Sequence, residues 1–350
     1  MYLLKHIPED FVVREIPPED FIVRENPLVK PIEQGKYFYF LLRKKNLNTM
    51  EAVQAIARAL HIPEKNIGFA GSKDKRAITE QFCSLLGARK ERLEKIQISG
   101  MQMAFLWYGN TPISLGYLQG NHFEIVIRNM EEKEFPKSAA WIPNYFDEQR
   151  FGRENVVLGK CLIKKQFAEA VAMLKNEDCE KHLLTHAHDY IGALKLLPLR
   201  LLRLYLNAYQ SYLWNETLAG YLKEKCRVVK EIPYSQGKLI FSPEIFSELE
   251  IPLIGFDYER KKNKETEIIL EELMKRERIS PQDFILKQIP QLTLEGEMRK
   301  AFVLVKEVII GTAEKDAFHP GKKKVKVSFT LPKGSYATMV IRGMMIEGGK

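Results

Sequence analysis

Cysteine is scarce in this sequence, and so are uninterrupted apolar runs. The 350 residues include four cysteines, which are widely spaced and form no C-x-x-C pair. This spacing argues against both a zinc knuckle and a disulfide framework, and a reducing cytoplasm is the expected compartment. The first residues reach Lys5, Glu9 and Asp10 before any apolar stretch develops, which also argues against a secretory signal.

Residues 96–123 contain no Asp, Glu, Lys or Arg, and this segment is long enough to cross a membrane. Glycines, a proline and several Gln and Asn side chains interrupt it, however. Such interruptions are typical of turns between strands. Paired strands are therefore predicted here, and no association with a membrane is expected.

Lysine and arginine outnumber aspartate and glutamate, at 54 against 45, which gives a formal net charge of +9. This balance suits a surface that binds nucleic acid, and it is equally a common means of keeping a protein soluble. The run Lys322, Lys323 and Lys324, followed by Lys326, fits a solvated strand edge that resists aggregation. Charge alone leaves both interpretations open.

The length of the chain favours two domains, at roughly 150 residues each, or one core with a large insertion. The first 150 residues are rich in strand patterns, whereas residues 162–225 follow a mainly helical pattern. Strand patterns return at residues 302–310 and 324–331. The simplest organisation is an α+β fold in which a more helical insertion interrupts a strand-rich core.

Two features of the first part of the chain predict local structure. The octapeptide PEDFVVRE at residues 8–15 returns as PEDFIVRE at residues 18–25, and each copy is a candidate strand behind a turn. Asn48 precedes a helical pattern and Glu51 follows three residues later, which together predict a capping box. Residues 67–81 are typical of a strand, a polar loop and a second strand.

Asp74 lies in that polar loop, between Lys73 and Lys75. Cations on both sides favour the carboxylate form of the side chain, which can act as a nucleophile or a base. The same composition fits an ordinary polar turn, and a phosphate-binding loop is disfavoured because no G-x-x-x-x-G-K-S/T motif is present. Composition alone leaves Asp74 as either a candidate catalytic carboxylate or a turn residue.

A second cluster, Cys179, His182, His186 and His188, has a spacing similar to that of metal ligands. On a helix the first three would share one face, which suits zinc, yet no H-E-x-x-H motif accompanies them. An ordinary helix surface is the favoured interpretation, so no metal is assigned. The sequence also lacks the G-x-S-x-G elbow of hydrolases and the G-x-G-x-x-G fingerprint of dinucleotide-binding proteins.

Several motifs, in the same order along the chain, resemble those of the TruD family of tRNA pseudouridine synthases. The segment AGSKDKRAITEQ at residues 70–81 resembles the signature of that family. The other blocks are PEDF near the start, LGYLQGNHF at 115–123, PNYF at 143–146 with QRFG at 149–152, AYQSYLWN at 208–215, and LPKGSYAT at 331–338 followed by Arg342. Because these blocks span nearly the whole chain, the resemblance is specific. It implies an isomerase that converts uridine 13 in the D arm of tRNA to pseudouridine.

The resemblance also implies roles for particular residues. Asp74 matches the catalytic aspartate, which is needed to break the N-glycosidic bond, and Arg342 resembles the basic residue that pairs with it. Phe146 is implied to stack on a base that is flipped out of its helix, with Asn144 ordering the catalytic loop. The other residues that we expect to bind the substrate are Lys73, Lys75, Lys5, Phe11, Phe21 and Arg150; Lys5 precedes the first PEDF copy, and Phe11 and Phe21 each end one copy.

The implied fold is a pseudouridine synthase core, a mixed and mostly antiparallel sheet flanked by helices, with an inserted α/β TRUD domain. The expected boundaries place the core at residues 1–160 and 306–350 and the insertion, as the other wall of a basic RNA cleft, at 161–305. No metal or other cofactor is implied, because one ionised carboxylate suffices for the reaction. We expect a cytoplasmic monomer that binds tRNA and has no obligate protein partner. The alternatives are a non-catalytic RNA-binding relative and a synthase that acts on other RNAs.

Overall fold

The computed structural model describes residues 2–18, 35–258 and 264–348. The chain forms two compact units, which we call unit 1 (Met1–Ala140 and Leu304–Lys350) and unit 2 (Trp141–Val303). The insertion expected from the sequence begins at residue 161, later along the chain than unit 2. Unit 2 begins earlier because the strand Trp141–Pro143 pairs with the strand Phe302–Leu304 at the other end of the unit.

The regular elements of the described residues follow in chain order. The strands are β1 (Phe11–Ile16), β2 (Tyr37–Lys45), β3 (Ile67–Phe69), β4 (Ile78–Leu86), β5 (Met101–Gly109), β6 (Gly120–Met130), β7 (Trp141–Pro143), β8 (Lys230–Tyr234), β9 (Gly237–Phe241), β10 (Glu250–Leu253), β11 (Glu297–Lys300), β12 (Phe302–Leu304), β13 (Lys306–Ile310), β14 (Glu314–Lys315) and β15 (Lys323–Pro332). The α-helices are α1 (Thr49–Leu60), α2 (Lys90–Glu94), α3 (Glu148–Phe151), α4 (Asn155–Ile163), α5 (Phe167–Leu174), α6 (Glu177–Thr185), α7 (Tyr190–Lys195), α8 (Leu199–Lys225), α9 (Lys264–Glu277) and α10 (Ala337–Gly348). Short 3-10 helices lie at Pro8–Asp10, Glu64–Asn66, Pro281–Phe284 and Pro290–Leu292.

Nine of the described strands form the sheet of unit 1. Their order is β13-β15-β6-β1-β4-β2-β5, with β14 beside β15 and β3 beside β4. Strands β1 and β4 run parallel, with Val13 opposite Thr79, and the other described pairs are antiparallel. The predicted α+β fold with a mixed, mostly antiparallel sheet is therefore confirmed.

Helix α1 covers part of this sheet and begins at the predicted cap. The Asn48 side chain accepts a hydrogen bond from the Glu51 N–H, and the Glu51 carboxylate accepts one from the Asn48 N–H, so the capping box is present. Ile56 of α1 belongs to the same buried apolar cluster as Phe40 of β2. Cap and cluster together fix the start of α1, where Thr49 lies, against the sheet.

Much of the local structure predicted from the sequence is confirmed. Residues 8–15 form a 3-10 turn followed by β1, and residues 67–81 form β3, a loop and the start of β4. The uncharged segment 96–123 contains paired strands, because β5 pairs with β2, and β6 pairs with β1 and β15. The second PEDF copy falls almost entirely on residues 19–34, outside the described residues.

Unit 2 is mainly helical, as the pattern of residues 162–225 predicts. Its long helix α8 packs against α4, α9 and the strands β9 and β10. Trp214, near the middle of α8, is fully buried, and its indole N–H donates to the carbonyl oxygen of Ile251 (3.1 Å). In the part of the chain that the structure describes, no helix is long and apolar enough to cross a membrane.

Candidate active site

The loop between β3 and β4 carries Asp74, and buried hydrogen bonds hold this loop in place. The Thr49 hydroxyl accepts a hydrogen bond from the Lys73 N–H (2.9 Å) and donates one to Gln81 Oε1 (3.0 Å). Gln81 Nε2 in turn donates to the carbonyl oxygen of Gly71 (3.4 Å). Because Thr49 and Gln81 are fully buried, the loop is tied to α1 and β4 by bonds that are shielded from water.

A second turn supports the start of the same loop. The Gly116 N–H donates to the carbonyl oxygen of Ala70 (2.7 Å). Gly116 has φ of 86°, a left-handed conformation that glycine adopts without the steric cost that other residues incur. Two of the sequence blocks, residues 70–81 and 115–123, therefore meet in unit 1.

Lys5 forms an ion pair with Asp74. Its Nζ lies 2.5 Å from Asp74 Oδ2 and 4.2 Å from the centre of the Phe11 ring. The Lys5 side chain is 13% exposed and that of Asp74 is 33% exposed, so the pair is partly shielded while the carboxylate remains accessible. The structure thus brings together three of the predicted site residues, Lys5, Phe11 and Asp74.

Lys44, on β2, reaches the main chain of the Asp74 loop. Its Nζ donates to the carbonyl oxygens of Asp74 (3.1 Å), Lys73 (3.4 Å) and Leu47 (2.6 Å). The residue is 1% exposed, and this burial lowers the pKa of Lys44 to about 8, although the charge of Asp74 opposes the shift. A buried ammonium group therefore holds the backbone on which the candidate catalytic side chain is mounted.

The two lysines that flank Asp74 have different surroundings. The Lys73 side chain is 7% exposed, and its Nζ lies 2.7 Å from Asn121 Oδ1 and 3.1 Å from Glu15 Oε2. Burial raises the pKa of Glu15, and the charge of Lys73 opposes that shift. Lys75 is exposed and pairs with Glu51 at 2.7 Å. The charge of Lys73 thus faces a buried carboxylate, whereas the charge of Lys75 lies at the surface.

Two other predicted site residues belong to unit 1 by their position in the chain. Arg342 lies on α10, in the same unit as Asp74. The cation that the structure shows at the Asp74 carboxylate is Lys5, so a pairing of Arg342 with this carboxylate stays a prediction. Phe21 lies outside the described residues.

The predicted residues Asn144, Phe146 and Arg150 lie close together in unit 2. The Phe146 N–H donates to Asn215 Oδ1 (2.9 Å), and Asn215 Nδ2 donates back to the Phe146 carbonyl oxygen (3.0 Å). The guanidinium carbon of Arg299 lies 4.1 Å from the centre of the Phe146 ring, and that of Arg150 lies 5.6 Å from it. Arg299 also donates to the Asn144 carbonyl oxygen (2.8 Å). Phe146 is only 5% exposed, and the guanidinium of Arg299 lies over its ring.

The lysine run at the start of β15 is matched by glutamates. Lys322 pairs with Glu131, Lys323 with Glu132, Lys324 with Glu314 and Lys326 with Glu124. Hydrogen bonds from Lys326 and Arg14 lower the pKa of Glu124 to about 2. The local net charge of this strand edge is therefore much smaller than the lysine run alone indicates.

The side chains of the Cys179–His188 cluster contact their own neighbours in unit 2. Buried Cys179 donates from Sγ to the carbonyl oxygen of Ala193 (3.3 Å). His182 Nε2 lies 2.9 Å from Asp189 Oδ2, and the His182 ring stacks on that of His186 with ring centres 4.6 Å apart. Across residues 2–18, 35–258 and 264–348, no group of three or more His, Cys, Asp or Glu side chains is placed to hold a metal ion.

Sequence reasoning missed several residues that support the Asp74 loop, namely Glu15, Lys44, Thr49 and Asn121. For Lys44 a signal is present, because Phe38, Phe40 and Leu42 precede it at alternate positions of β2. A period of two places Lys44 on the same buried face, and a buried cation requires polar partners. That signal indicates a buried lysine, although it does not identify the carbonyl groups that Lys44 contacts.

Comparison with known proteins adds independent findings to this geometry. The family model described as tRNA pseudouridine synthase D (TruD) matches residues 2–181, 175–234 and 244–344. The tRNA pseudouridine synthase D of Aquifex aeolicus is 30% identical, and the match covers 99% of each chain. A relative from Thermococcus gammatolerans, which bears the name "Probable tRNA pseudouridine synthase D", is 32% identical, and the match covers 98% of this chain and 94% of the relative.

A solved structure has the same fold. The crystal structure of a tRNA pseudouridine synthase D (TruD) from Methanosarcina mazei superposes with a TM-score of 0.67 at 24% identity, and the match covers 98% of this chain and 93% of the other. The family match over most of the sequence and the full-length relatives agree with the blocks around Asp74 and Phe146. The chain therefore belongs to the TruD family of tRNA pseudouridine synthases, which are isomerases.

Proposed function

We propose that this protein converts uridine 13 in the D arm of tRNA to pseudouridine and that Asp74 is its catalytic carboxylate. The observation that carries the proposal is the ion pair of Asp74 with Lys5, at 2.5 Å, in a loop whose sequence resembles the signature of the family. A carboxylate that is fixed by a cation and is one-third exposed can reach a bound nucleotide. Family membership supports the reaction class, and the resemblance of the motifs supports the position in the tRNA.

The proposed reaction needs no group that the chain does not supply. The bond between N1 of uracil and C1′ of the ribose breaks, the detached base rotates, and a bond forms between C5 and C1′. The proton on C5 is lost and N1 gains one, so substrate and product are isomers. The Asp74 carboxylate begins this sequence either by attacking C1′ or by removing the proton from C2′.

We further propose that the first PEDF copy is the equivalent of the family motif. In this copy Phe11 begins β1, and its ring contacts the ammonium group that pairs with Asp74. Lys5, which precedes the same copy, supplies that ammonium group. Both contacts support Lys5 and Phe11 as the functional pair.

Phe146 is proposed to stack on the flipped uracil, and the residues around its ring determine which contacts the base has to replace. The Phe146 main chain is fixed by two hydrogen bonds with Asn215, which hold the ring in place. The Arg299 guanidinium lies over the ring at 4.1 Å, so the base has to displace it in order to stack on that face. Asn144 and Arg150, which lie beside this ring in unit 2, are proposed to order the chain near it and to contact the RNA.

The remaining predicted site residues receive different proposed tasks according to their burial. Lys75 is exposed, so we assign it to a phosphate contact, for which its ammonium group leaves Glu51. Lys73 is buried against Glu15, so its contribution to substrate binding is to hold the loop in position. Arg342 is proposed to approach the catalytic carboxylate from α10 when RNA is bound.

The experiment that tests the proposal is site-resolved mapping of pseudouridine. Unmodified tRNA transcripts are incubated with wild type, with Asp74→Asn and with the control Asp178→Asn, which changes an exposed residue of α6 in unit 2. Carbodiimide-dependent reverse-transcription stops then locate any pseudouridine. We expect a stop at uridine 13 with wild type and with Asp178→Asn, and no stop with Asp74→Asn.

Binding of tRNA by Asp74→Asn should remain within about threefold of wild type, because binding rests on many phosphate contacts and one carboxylate adds little to them. Stops at another position, or only on another RNA, would replace uridine 13 as the target. Normal turnover by Asp74→Asn would remove Asp74 from the mechanism. Intact binding without any stop would identify the protein as a non-catalytic RNA-binding relative.

A further inference from the structure

Lys44 carries an ionisable ammonium group in an almost completely buried position. It is 1% exposed, and its ammonium group has three N–H donors, each of which has a main-chain carbonyl within reach: Leu47 O at 2.6 Å, Asp74 O at 3.1 Å and Lys73 O at 3.4 Å. Two of these carbonyls belong to Asp74 itself and to the residue before it. The third belongs to the turn that precedes α1.

We propose that Lys44 is a positioning residue for the reaction, because its protonated ammonium group fixes the backbone of Asp74 relative to β2 and α1. The inference rests on the proposed function of Asp74 and adds a residue to which the sequence motifs assign no role. Lys44 contacts main-chain oxygens, so it acts through Asp74 rather than on the substrate. The reaction therefore requires the charged form of Lys44.

Other ionisable groups set how readily Lys44 loses its proton. Asp74 from the loop and Glu51 from α1 favour the ammonium form, whereas Lys73 from the loop disfavours it, and Cys83 of β4 has a small favourable effect. Desolvation is the largest influence, and it lowers the pKa of Lys44 to about 8. The charge is thus retained at neutral pH but is lost in mildly alkaline solution.

Loss of that proton removes one of the three donors and turns a nitrogen lone pair towards the carbonyl oxygens. We therefore expect the loop at Asp74 to loosen as the pH rises through about 8. The stability of the fold changes in the opposite direction. In the unfolded chain Lys44 keeps its proton up to a pKa near 10.5, so between pH 8 and 10.5 the unfolded state binds more protons than the folded state. The contribution of Lys44 to the free energy of unfolding therefore rises with pH in this range. A decrease in activity above pH 8 is thereby distinguishable from unfolding.

The first test is the pH dependence of single-turnover rates with saturating enzyme for wild type, Lys44→Arg and Lys44→Met. We expect the wild-type rate to fall above pH 8. In Lys44→Arg the fall moves to higher pH by at least about one unit, because arginine stays protonated above pH 12. In Lys44→Met the rate at pH 7 is about 10-fold to 100-fold lower, with tRNA affinity nearly unchanged, and no fall is centred near pH 8. Ionisation of uridine itself affects all three proteins equally.

The second test measures the loop directly, by hydrogen–deuterium exchange of residues 70–77. The matched control is Lys165→Met, since the Lys165 ammonium group also holds a main-chain carbonyl, that of Asp283 at 2.6 Å, but lies in unit 2. We expect exchange in residues 70–77 to increase at least about threefold in Lys44→Met and to stay unchanged in Lys165→Met, because exchange reports the local opening of the hydrogen bonds that hold the loop.

The outcomes separate this inference from the proposed function. The positioning role would be overturned if Lys44→Met had the same rate, pH profile and loop exchange as wild type. If Lys44→Met does not fold, the comparison of wild type with Lys44→Arg decides, and identical alkaline profiles would overturn it as well. If wild type forms no pseudouridine in any tRNA, the proposed function fails, and the exchange measurement alone then confirms or rejects the control of the loop by Lys44.

Discussion

At the scale of single residues, the Lys5 ammonium group contacts both the Asp74 carboxylate and the Phe11 ring from a left-handed backbone, with φ of 56°. Such a conformation costs a residue with a side chain of order 1 kcal/mol or more. Neighbouring contacts hold it, because Leu3 exchanges two main-chain hydrogen bonds with Arg128 (2.8 and 2.9 Å). Backbone strain at the residue that pairs with Asp74 is consistent with a role in positioning the carboxylate.

We predict that Lys5→Met reduces kcat for pseudouridine formation by about 10²-fold, because the carboxylate loses the cation that holds it in one orientation. Affinity for tRNA should change by less than about threefold, since one partly buried cation contributes little to the phosphate contacts that dominate binding. Rates at saturating enzyme and filter-binding affinities measure the two effects separately.

The control for this prediction is Lys90→Met. Lys90 also lies over an aromatic ring of unit 1, 5.0 Å from the centre of Phe105, but it is not part of the Asp74 loop. The Lys90→Met variant should retain the wild-type kcat. Equal losses in both variants would attribute the effect to a weakened aromatic contact and not to Asp74.

How far the site could be predicted depends on the residue. Asp74 could be singled out because charge and motif coincide in one loop, and the capping box of Asn48 could be read directly from its spacing. The burial of Lys73 could not be predicted, because nothing in the flanking sequence distinguishes a lysine that contacts RNA from one that contacts Glu15. That difference depends on Glu15 of β1 and Asn121 of β6, which are distant in sequence from Lys73 and lie near it only in the folded chain.

At the scale of secondary-structure elements, local patterns predicted the strands on both sides of the Asp74 loop, but they did not predict how the strands pair. The parallel pairing of β1 with β4, with Val13 opposite Thr79, joins segments that are far apart in sequence. Alternation of apolar residues identifies a strand and its buried face but not its neighbour. This pairing is what brings the N-terminal segment, with Lys5, to Asp74.

A buried cluster of charges holds that N-terminal segment to the sheet. Arg128 of β6 donates from Nε to Asp10 (2.8 Å to Oδ2) and from Nη1 to Asp316 (2.9 Å), and all three side chains are at most 8% exposed. Burial alone would raise the pKa of Asp316, but hydrogen bonds from the Asn129 N–H, His319, the Phe318 N–H and Arg128 lower it to about 2. The cluster therefore joins three separate parts of unit 1.

Removing the shared cation should destabilise the fold strongly. We predict that Arg128→Met lowers the free energy of unfolding by about 3–5 kcal/mol at pH 7, because two buried carboxylates lose the cation that they share. In wild type the folded-state pKa of Asp316 lies below its usual value of 3.8, so its stabilising contribution is present above pH 4 and is lost as the pH falls towards 2. In the variant Asp316 keeps its other hydrogen bonds but loses the Arg128 cation, so its carboxylate takes up a proton more readily and the difference from wild type should shrink between pH 7 and pH 4.

Urea unfolding followed by circular dichroism at both pH values measures this difference. Arg14→Met is the control, since Arg14 pairs with Glu80 and Glu124 in the same sheet but is 42% exposed. An exposed pair contributes at most about 1 kcal/mol. A destabilisation of Arg128→Met that is no larger than that of Arg14→Met would show that the buried cluster does not hold the segment.

At the scale of the whole molecule, the net charge of +9 attracts RNA most strongly where exposed cations have no nearby carboxylate. The lysines at the start of β15 each have a glutamate partner, such as Lys324 with Glu314 at 3.1 Å. Arg76, two residues after Asp74, is exposed, and within the described residues no ion pair is found for it. We therefore expect the positive potential that attracts RNA to lie beside the Asp74 loop rather than at the most lysine-rich segment of the sequence.

This distribution predicts how tRNA binding responds to salt. Binding by wild type should weaken as salt rises, with a slope of log affinity against log salt of about −0.7 to −0.9 for each phosphate that is neutralised. Arg76→Gln should weaken binding and reduce the magnitude of that slope by about one contact, because a cation that releases a counterion on binding is lost. Lys324→Gln should leave both the affinity and the slope at their wild-type values, since its charge is already balanced by Glu314. Affinities measured between about 50 and 200 mM salt distinguish the two variants. Equal effects would mean that RNA contacts the β15 edge and breaks its ion pairs on binding, and the surface proposed around Asp74 would then have to extend to that edge.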